Sequence, residues 1–587
     1  MPADARAISL TIVLFAGSAS AYAAGIKIEI NGVPEEQAQA IRASLELNNY
    51  AEREITPVQL RAAYRDADKQ IIAALEPFGY YDPKVTPHLT GDEATGWTAR
   101  FDVVPGNPVI VREEHVDVIG EGKDRRRVTA AIAGFLPKVG QRLDHPTYEA
   151  SKAVVDTSLR GAGYLDAKYT KRRVTVIPEE HSAKVDLQWE SGPRYKFGDV
   201  RFAGDAPFPE EFLREYVPWR KDGFFSSEEV LNLQQRLVDA DYFELVSVQP
   251  AIDEKKDGTV PIDVLLKRDQ RNVYSGEVYY STDFGAGVRL GAARRWLNDS
   301  GHKADVKMEY SERLQQAGFH YGIPQPSHDD RSYDFGFGYR DETTDTNRSH
   351  SYQLAATRSE KRWHGFTRTM GLKFLNGDFE IGEDEDNLEY GNSKLLYAEA
   401  TLSRRRVNDP LTPRKGYMLE TGARLASEAV ASDTDYAEAF GRITWLIPQG
   451  ERGRIKLRGE VGAMTVGDFD ALPPELRFYA GGDRSLRGFD YHEIGEVNGN
   501  GNVIGGKYLA IASGEYEYYF NKDWGVGVFV DAGDAFSTRF SVNVGAGVGL
   551  RWHSPLGPVR VDVAYPVESE LPDTNSWRLH VLLGPDI

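Results

Sequence analysis

Residues 524–533 read WGVGVFVDAG. In an extended strand successive side chains point to opposite sides, so Val526, Val528 and Val530 share one face while Gly525, Gly527, Phe529 and Asp531 share the other. A soluble barrel turns its apolar side chains inward to fill the interior. Here the apolar face carries nothing polar and the opposite face carries a carboxylate, so the valines meet lipid and Asp531 points into a wet lumen. Two later stretches keep that phase. In GPVRVDVAYP, Val559, Val561, Val563 and Tyr565 oppose Arg560, Asp562 and Ala564, and in SWRLHVLL, Trp577, Leu579 and Val581 oppose Ser576, Arg578 and His580. A mean hydropathy of −0.47 agrees with this reading, because only every second residue of a membrane-barrel strand faces lipid.

Working outward, short alternating runs such as YSGEVYY, KADVKMEY, YDFGFGY, KLLYAEATL, YMLETGARL and RIKLRGEVGAM begin just after Asn272. Eleven strands are expected before residue 476 and five after residue 506, sixteen in all, the spacing of an antiparallel transmembrane β-barrel. Connections after even-numbered strands are short (NDSGHK, KRWHG, PQGER, FNKD, SPLG), whereas the long insertions, 376–392 and 466–506, follow odd-numbered strands. Short turns mark the periplasmic end of such barrels. The segment upstream of the first strand is therefore expected in the periplasm and residues 466–506 on the outer face.

The upstream segment has the composition of ordinary soluble protein and a weak repeat. ALEPFGYYDPKV around Tyr80, LRGAGYLDAKY around Tyr164 and LVDADYFELVSV around Tyr242 each lead from an amphipathic helix through a tight turn into a strand. The predicted order strand, helix, helix, strand, strand recurs three times, giving α+β modules over 24–107, 108–193 and 194–268 and a barrel over 269–587. At the N-terminus, Arg6, the apolar run Ile8–Ala16 and the small-residue box Ala21–Ala23 read as an export leader spanning 1–23. Cysteine is absent, so the exported chain relies on burial and hydrogen bonding. The formal net charge of −19 argues against a nucleic-acid partner.

Signals of catalysis or cofactor binding are weak. GNVIGGKY at Gly501–Tyr508 places Tyr508 where a phosphate-binding loop needs a hydroxyl for magnesium, and it precedes a strand rather than a helix. The acidic stretch GDFEIGEDEDNLEYGN lacks the ligand order of a calcium loop. The histidines show no zinc spacing. No cofactor, metal or catalytic residue is expected.

The stretch LRFYAGGDRSLRGFDY, residues 476–491, is different. Gly481, Gly482 and Gly488 allow a close-packed path, and Phe478, Tyr479 and Phe489 are anchors rather than surface residues. If this loop folds into the lumen, Arg487 needs carboxylates, and strand parity aims Glu515 and Asp531 inward.

GGDRSLRGF resembles the loop signature of the superfamily of outer-membrane protein insertases and two-partner secretion transporters. GGKYLAIASGEYEY, VFVDAGDAF and GPVRVDVAYP are similar to its strands twelve, thirteen and fifteen, and the upstream repeats look like its polypeptide-transport-associated (POTRA) modules. Module and strand counts are closest to its TamA branch. One departure is the C-terminus, LLGPDI, which lacks a terminal aromatic. The resemblance implies a luminal tip built on Arg487, Gly488 and Phe489 with Glu515 and Asp531 as its ion-pair partners. It also implies an outer-membrane location in a Gram-negative bacterium, barrel-protein clients such as autotransporters, and an inner-membrane-anchored TamB-like partner reached through the first module. A transporter exporting a polypeptide through the lumen is the alternative. For lateral insertion the seam lies between NVYSGEVYYS and SWRLHVLLGP, where Gly276 in the first strand, and Gly584 and Pro585 beyond Leu582 in the last, are expected to weaken pairing.

Overall fold

The computed structural model describes residues 26–51, 53, 55–92, 96–327, 331–382, 388–409, 412–555, 557–571 and 576–584. The leader and Pro585 lie outside them.

Each α+β module carries a three-stranded sheet in which the last strand lies between the first and the middle one. In the first, Ile26–Asn31 runs parallel to Gly96–Val104, which pairs antiparallel with Lys84–Asp92. In the second, Ile110–Ile119, Ser182–Glu190 and Lys168–Ile177 repeat the order. The third orders Lys196–Gly204, Thr259–Arg268 and Phe243–Pro250 in the same way. The repeated phrase has a common backbone cause: Gly79, Gly163 and Asp241 all take positive φ (81°, 98° and 58°), the left-handed geometry that ends a helix. The tyrosine that follows then folds back onto the module; Tyr164 and Tyr242 are fully buried and Tyr80 half-buried. The first module departs from the two-helix expectation. It has three helices, Glu35–Ser44, Pro57–Arg65 and Ala67–Leu75, because the chain leaves helical geometry at Asp66.

Sixteen antiparallel strands among the described residues close into a barrel. They are β1 (Asn272–Ser281), β2 (Gly285–Arg294), β3 (Lys303–Ser311), β4 (Leu314–Gln325), β5 (Arg331–Thr343), β6 (Asn347–Trp363), β7 (Phe366–Ile381), β8 (Glu389–Val407), β9 (Gly416–Ala426), β10 (Tyr436–Gln449), β11 (Gly453–Val466), β12 (Tyr508–Tyr519), β13 (Trp524–Phe536), β14 (Asn543–Ser554), β15 (Gly557–Glu568) and β16 (Arg578–Leu583). Closure satisfies backbone groups that lipid cannot. Val526, Val528 and Val530 face outward and Phe529 and Asp531 are buried inside. The insertion read at 376–392 is largely strand: residues 376–381 finish β7 and 389–392 begin β8. The inward side chains there, Leu375, Phe379, Ile381 and Leu395, are apolar and buried, and Leu375 and Leu395 pack with Leu472 and Leu476 of the segment that follows β11. A polar-looking run thus stays extended because its inner face has a partner.

The third module's Tyr242 meets the β2–β3 turn, its hydroxyl donating to the carbonyl of Gly301 at 2.6 Å, while Lys303 Nζ donates to the carbonyl of Ala240 at 2.5 Å. The Phe208 ring lies tilted against Tyr242, centroids 4.7 Å apart, and meets Trp296 edge-on at 6.1 Å. The turns after even-numbered strands therefore lie at the module-bearing end.

In the second module Asp144 caps the helix His145–Gly161, accepting from the Thr147 N–H at 2.9 Å. Burial raises its carboxyl pKa, but the bonds from Thr147 and the Arg142 charge outweigh it and hold the group below the usual carboxylate range. Its contribution is thus present above the ordinary aspartate value and lost as pH falls through the lowered one. Asp144→Ala should cost about 1 kcal/mol in urea unfolding of the three-module segment at pH 7; an unchanged midpoint at pH 7 would show that the cap contributes nothing.

Candidate functional site

Residues 467–507, between β11 and β12, do not lie loose. The segment makes a short helical turn at Pro474–Leu476 and folds on itself through bridges between Phe478 and Gly506, Ala480 and Ile494, and Val497 and Val503. Ala480, Leu486, Phe489 and Ile494 are buried against Ile511 of β12 and Ala535 of β13. This apolar contact holds the segment inside the barrel, with Gly481 and Gly482 at its turn and Arg487–Gly488–Phe489 at its tip.

Arg487 is 4% exposed. Its guanidinium grips Asp531 with a two-pronged fork, Nε to Oδ2 at 2.7 Å and Nη2 to Oδ1 at 3.0 Å. Nη1 reaches Glu515 Oε2 and Asp562 Oδ2, both at 3.1 Å, and the Arg487 backbone N–H also donates to Asp531. The guanidinium lies over the Phe529 ring, 3.4 Å from its centroid. Burial disfavours the charge, but Asp531, Glu515 and Asp562 more than restore it, so the Arg487 pKa lies above its ordinary value. The Gly488 N–H donates to His580 Nε2 of the last strand at 3.0 Å.

Several partners were absent from the sequence reading. Arg551 joins Glu515 and Asp562, each at 2.5 Å, and reaches Glu517 at 3.4 Å. Glu517 also pairs with Arg454 at 2.7 Å and Arg560 at 3.4 Å. Four guanidiniums (Arg454, Arg487, Arg551, Arg560) pair with four carboxylates (Glu515, Glu517, Asp531, Asp562), and Arg458 adds a fifth cation near Asp531 and Glu515, so each buried carboxylate has a cation at hand. The space they occupy comes from glycines facing inward on β14. A Cβ on Gly545 would fall 1.8 Å from the Arg487 carbonyl oxygen, and one on Gly549 1.7 Å from Asp562 Oδ1. The signal was present in NVGAGVGLRW, where one face reads Gly545, Gly547 and Gly549 between Asn543 and Arg551.

The seam is sparse. Among the described residues, β1 and β16 share only Tyr280↔Leu583 and Ser281↔Leu582, whereas β1 pairs with β2 along its whole length from Asn272 to Ser281. Gly276, expected opposite the last strand, lies across from Leu290 of β2 and has no β16 partner. Two features cause this. β16 has only six residues, and Gly584, at φ 143°, donates its N–H to the Pro558 carbonyl at 3.0 Å on the β15 side rather than to β1.

Loss of the Arg487 fork leaves Asp531 buried without its main cation, a change of about 3–5 kcal/mol for a buried pair. Arg487→Ala should expose the Phe489 peptide bond to chymotrypsin while the far-ultraviolet signature of the strands stays intact. Arg487→Lys keeps the charge without the fork and should fall between. Equal protection in all three proteins would show that the cluster does not hold the tip.

Comparison with known proteins places this architecture. The "Omp85 superfamily domain" model matches residues 255–586, the "POTRA domain TamA domain 1" model residues 27–105, and a POTRA model described as "Surface antigen variable number repeat" residues 195–268. The outer membrane protein assembly factor BamA of Nitratidesulfovibrio vulgaris is 22% identical over 72% of this chain, which spans 55% of that relative's length. BamA of Neisseria meningitidis is 21% identical over 86% of this chain and 70% of its own. The crystal structure of Haemophilus ducreyi BamA lacking POTRA domains 1–3 shares the fold, with a TM-score of 0.63 at 18% identity over 81% of this chain and 99% of that one. With the family model covering the barrel and more than half of all residues, the chain belongs to the Omp85 superfamily.

Proposed function

We propose that this protein is an outer-membrane assembly factor of the TamA type, which helps autotransporters and other β-barrel clients insert by opening between β1 and β16. The carrying observation is the two-pair seam. Asn272–Tyr279 of β1 have no strand partner on the β16 side among the described residues. In lipid each unsatisfied backbone group costs several kcal/mol, so that edge is a template for an incoming strand, which gains the pairing as β1 does. The work is non-covalent. Support for the TamA branch comes from the three modules and from the match of the first to a TamA module.

On this reading the barrel sits in the outer membrane of a Gram-negative bacterium with its modules in the periplasm. The first module's sheet edges, Ile26–Asn31 and Lys84–Asp92, suit strand addition by an inner-membrane-anchored, TamB-like partner. A second reading, export of a polypeptide through the lumen, draws on a cavity of 1310 Å3 lined by Arg289, Glu309, Arg340, Lys373 and Arg424 and bounded by the loop.

A cross-link across the seam tests this reading. In a chain with no native cysteine, Ser281→Cys with Leu582→Cys pairs directly opposed residues, both inside the barrel. Oxidation should abolish client assembly and reduction restore it, whereas luminal export should continue; full assembly with the seam locked would overturn lateral entry. Deleting residues 26–107 should leave a folded barrel that no longer co-purifies with the partner, and undiminished co-purification would move that contact elsewhere.

A further inference from the structure

We infer that the loop of residues 467–507 straps the seam from inside, with His580 and Arg578 as its anchors on β16 and Asp283 as its anchor on the β1–β2 hairpin. The inference rests on the reading of the seam as the client entrance.

The two anchorages are separate sets of bonds. On the last strand, His580 receives the Gly488 N–H, and Arg578 pairs with Glu493 at 3.0 Å and with Asp490. On the first hairpin, the Asp483 N–H donates to both oxygens of Asp283, at 3.0 and 3.2 Å, and Tyr491 meets Phe284 edge-on at 5.0 Å. Gly482 is required by the second anchorage. Its φ is 98°, and a Cβ there would fall 2.6 Å from Asp283 Oδ2. Among the described residues, the ion pairs of Arg487 tie the tip to β12, β13 and β15. The tip therefore belongs to the β16 side of the seam, and Asp283 is where the β1 side lets go. Across the two strand pairs of the seam itself, the strap adds side-chain bonds to both edges, so β1 and β16 separate fully only when one anchorage breaks.

The Asp283 anchorage is a carboxyl facing a carboxyl. Burial is the first cause that pushes the Asp283 pKa up, to about 8, and the neighbouring Asp483 charge is the second; Arg484 opposes both. The other charged groups around it are Tyr491 of the loop, which feels Asp283, His580 of β16, which feels Asp483, and Glu277 and Arg289 of β1 and β2, paired with each other at 3.3 Å in the same cavity. The docked loop thus keeps a proton on Asp283 that an undocked one releases. A raised folded value means the stabilisation is full below the ordinary aspartate range and disappears as pH rises through about 8, by at most tenfold per unit. His492 works the other way. Buried between Tyr479 and Tyr491, it is pushed down to about 4, so undocking takes up a proton there below the ordinary histidine value. The two cancel between about 4 and 6.5, leaving a strap that loosens from about pH 6.5 to 8.

The measurement is trypsin nicking of the purified, folded full-length protein at Arg484–Ser485, the bond beside Asp483, separated by mass from cleavage at Arg487–Gly488, which stays with the β16 side. Asp283→Asn keeps the hydrogen-bond acceptor and removes the titration, and comparison at each pH cancels the protease's own profile. The wild-type rate relative to Asp283→Asn should climb severalfold between pH 6.5 and 8, and Asp283→Ala should be cut faster than Asp283→Asn throughout. A ratio that stays flat with pH overturns the strap, and if Asp283→Ala does not fold, the Asn comparison still decides. Nicking needs no client, so a flat ratio beside a functional cross-link result rejects the strap alone, whereas assembly that survives the locked seam rejects the entrance itself.

Discussion

A peptide group in hydrocarbon has no water to bond, and this requirement shapes everything from Asn272 onward. It explains why the strands close into a ring, why hairpins on one end are cut to a few residues, and why the single weak join between β1 and β16 stands out. Elsewhere neighbouring strands share six or more register pairs; at the seam the described residues share two. A closed barrel removes its edges, and this one retains most of an edge on β1.

The lumen solves a second problem, which is how to keep a long loop in place without sealing the barrel permanently. Apolar residues of the loop cover inward apolar patches on β7, β8, β12 and β13, and the arginine tip enters a set of paired charges. The two devices differ in kind. The apolar contact is non-directional and tolerates sliding, whereas the fork of Arg487 on Asp531 holds only in one geometry. Glycines on β14 supply the volume, so the pocket for the tip is a property of backbone approach as much as of charge.

The alternation in WGVGVFVDAG, GPVRVDVAYP and SWRLHVLL determined the sidedness of the wall, because a period of two leaves no freedom about which residues share a face. The same parity aimed Glu515, Asp531 and Asp562 inward. The helix-ending phrases around Tyr80, Tyr164 and Tyr242 exposed the modules, since a left-handed cap followed by a buried aromatic is a local event.

What the tertiary structure alone decided is non-local. Register between β1 and β16 depends on barrel shear and on the bond from Gly584 to Pro558, so Gly276 proved to sit away from the last strand while Ser281 met Leu582. The extension of β7 and β8 through 376–392 depends on loop residues a hundred positions later that cover their inner faces. Arg551 and Asp562 enter the Arg487 cluster because strand neighbours around a ring bring them there. Periodicity within one strand says which way a side chain points; only the closed sheet says what it finds on arrival.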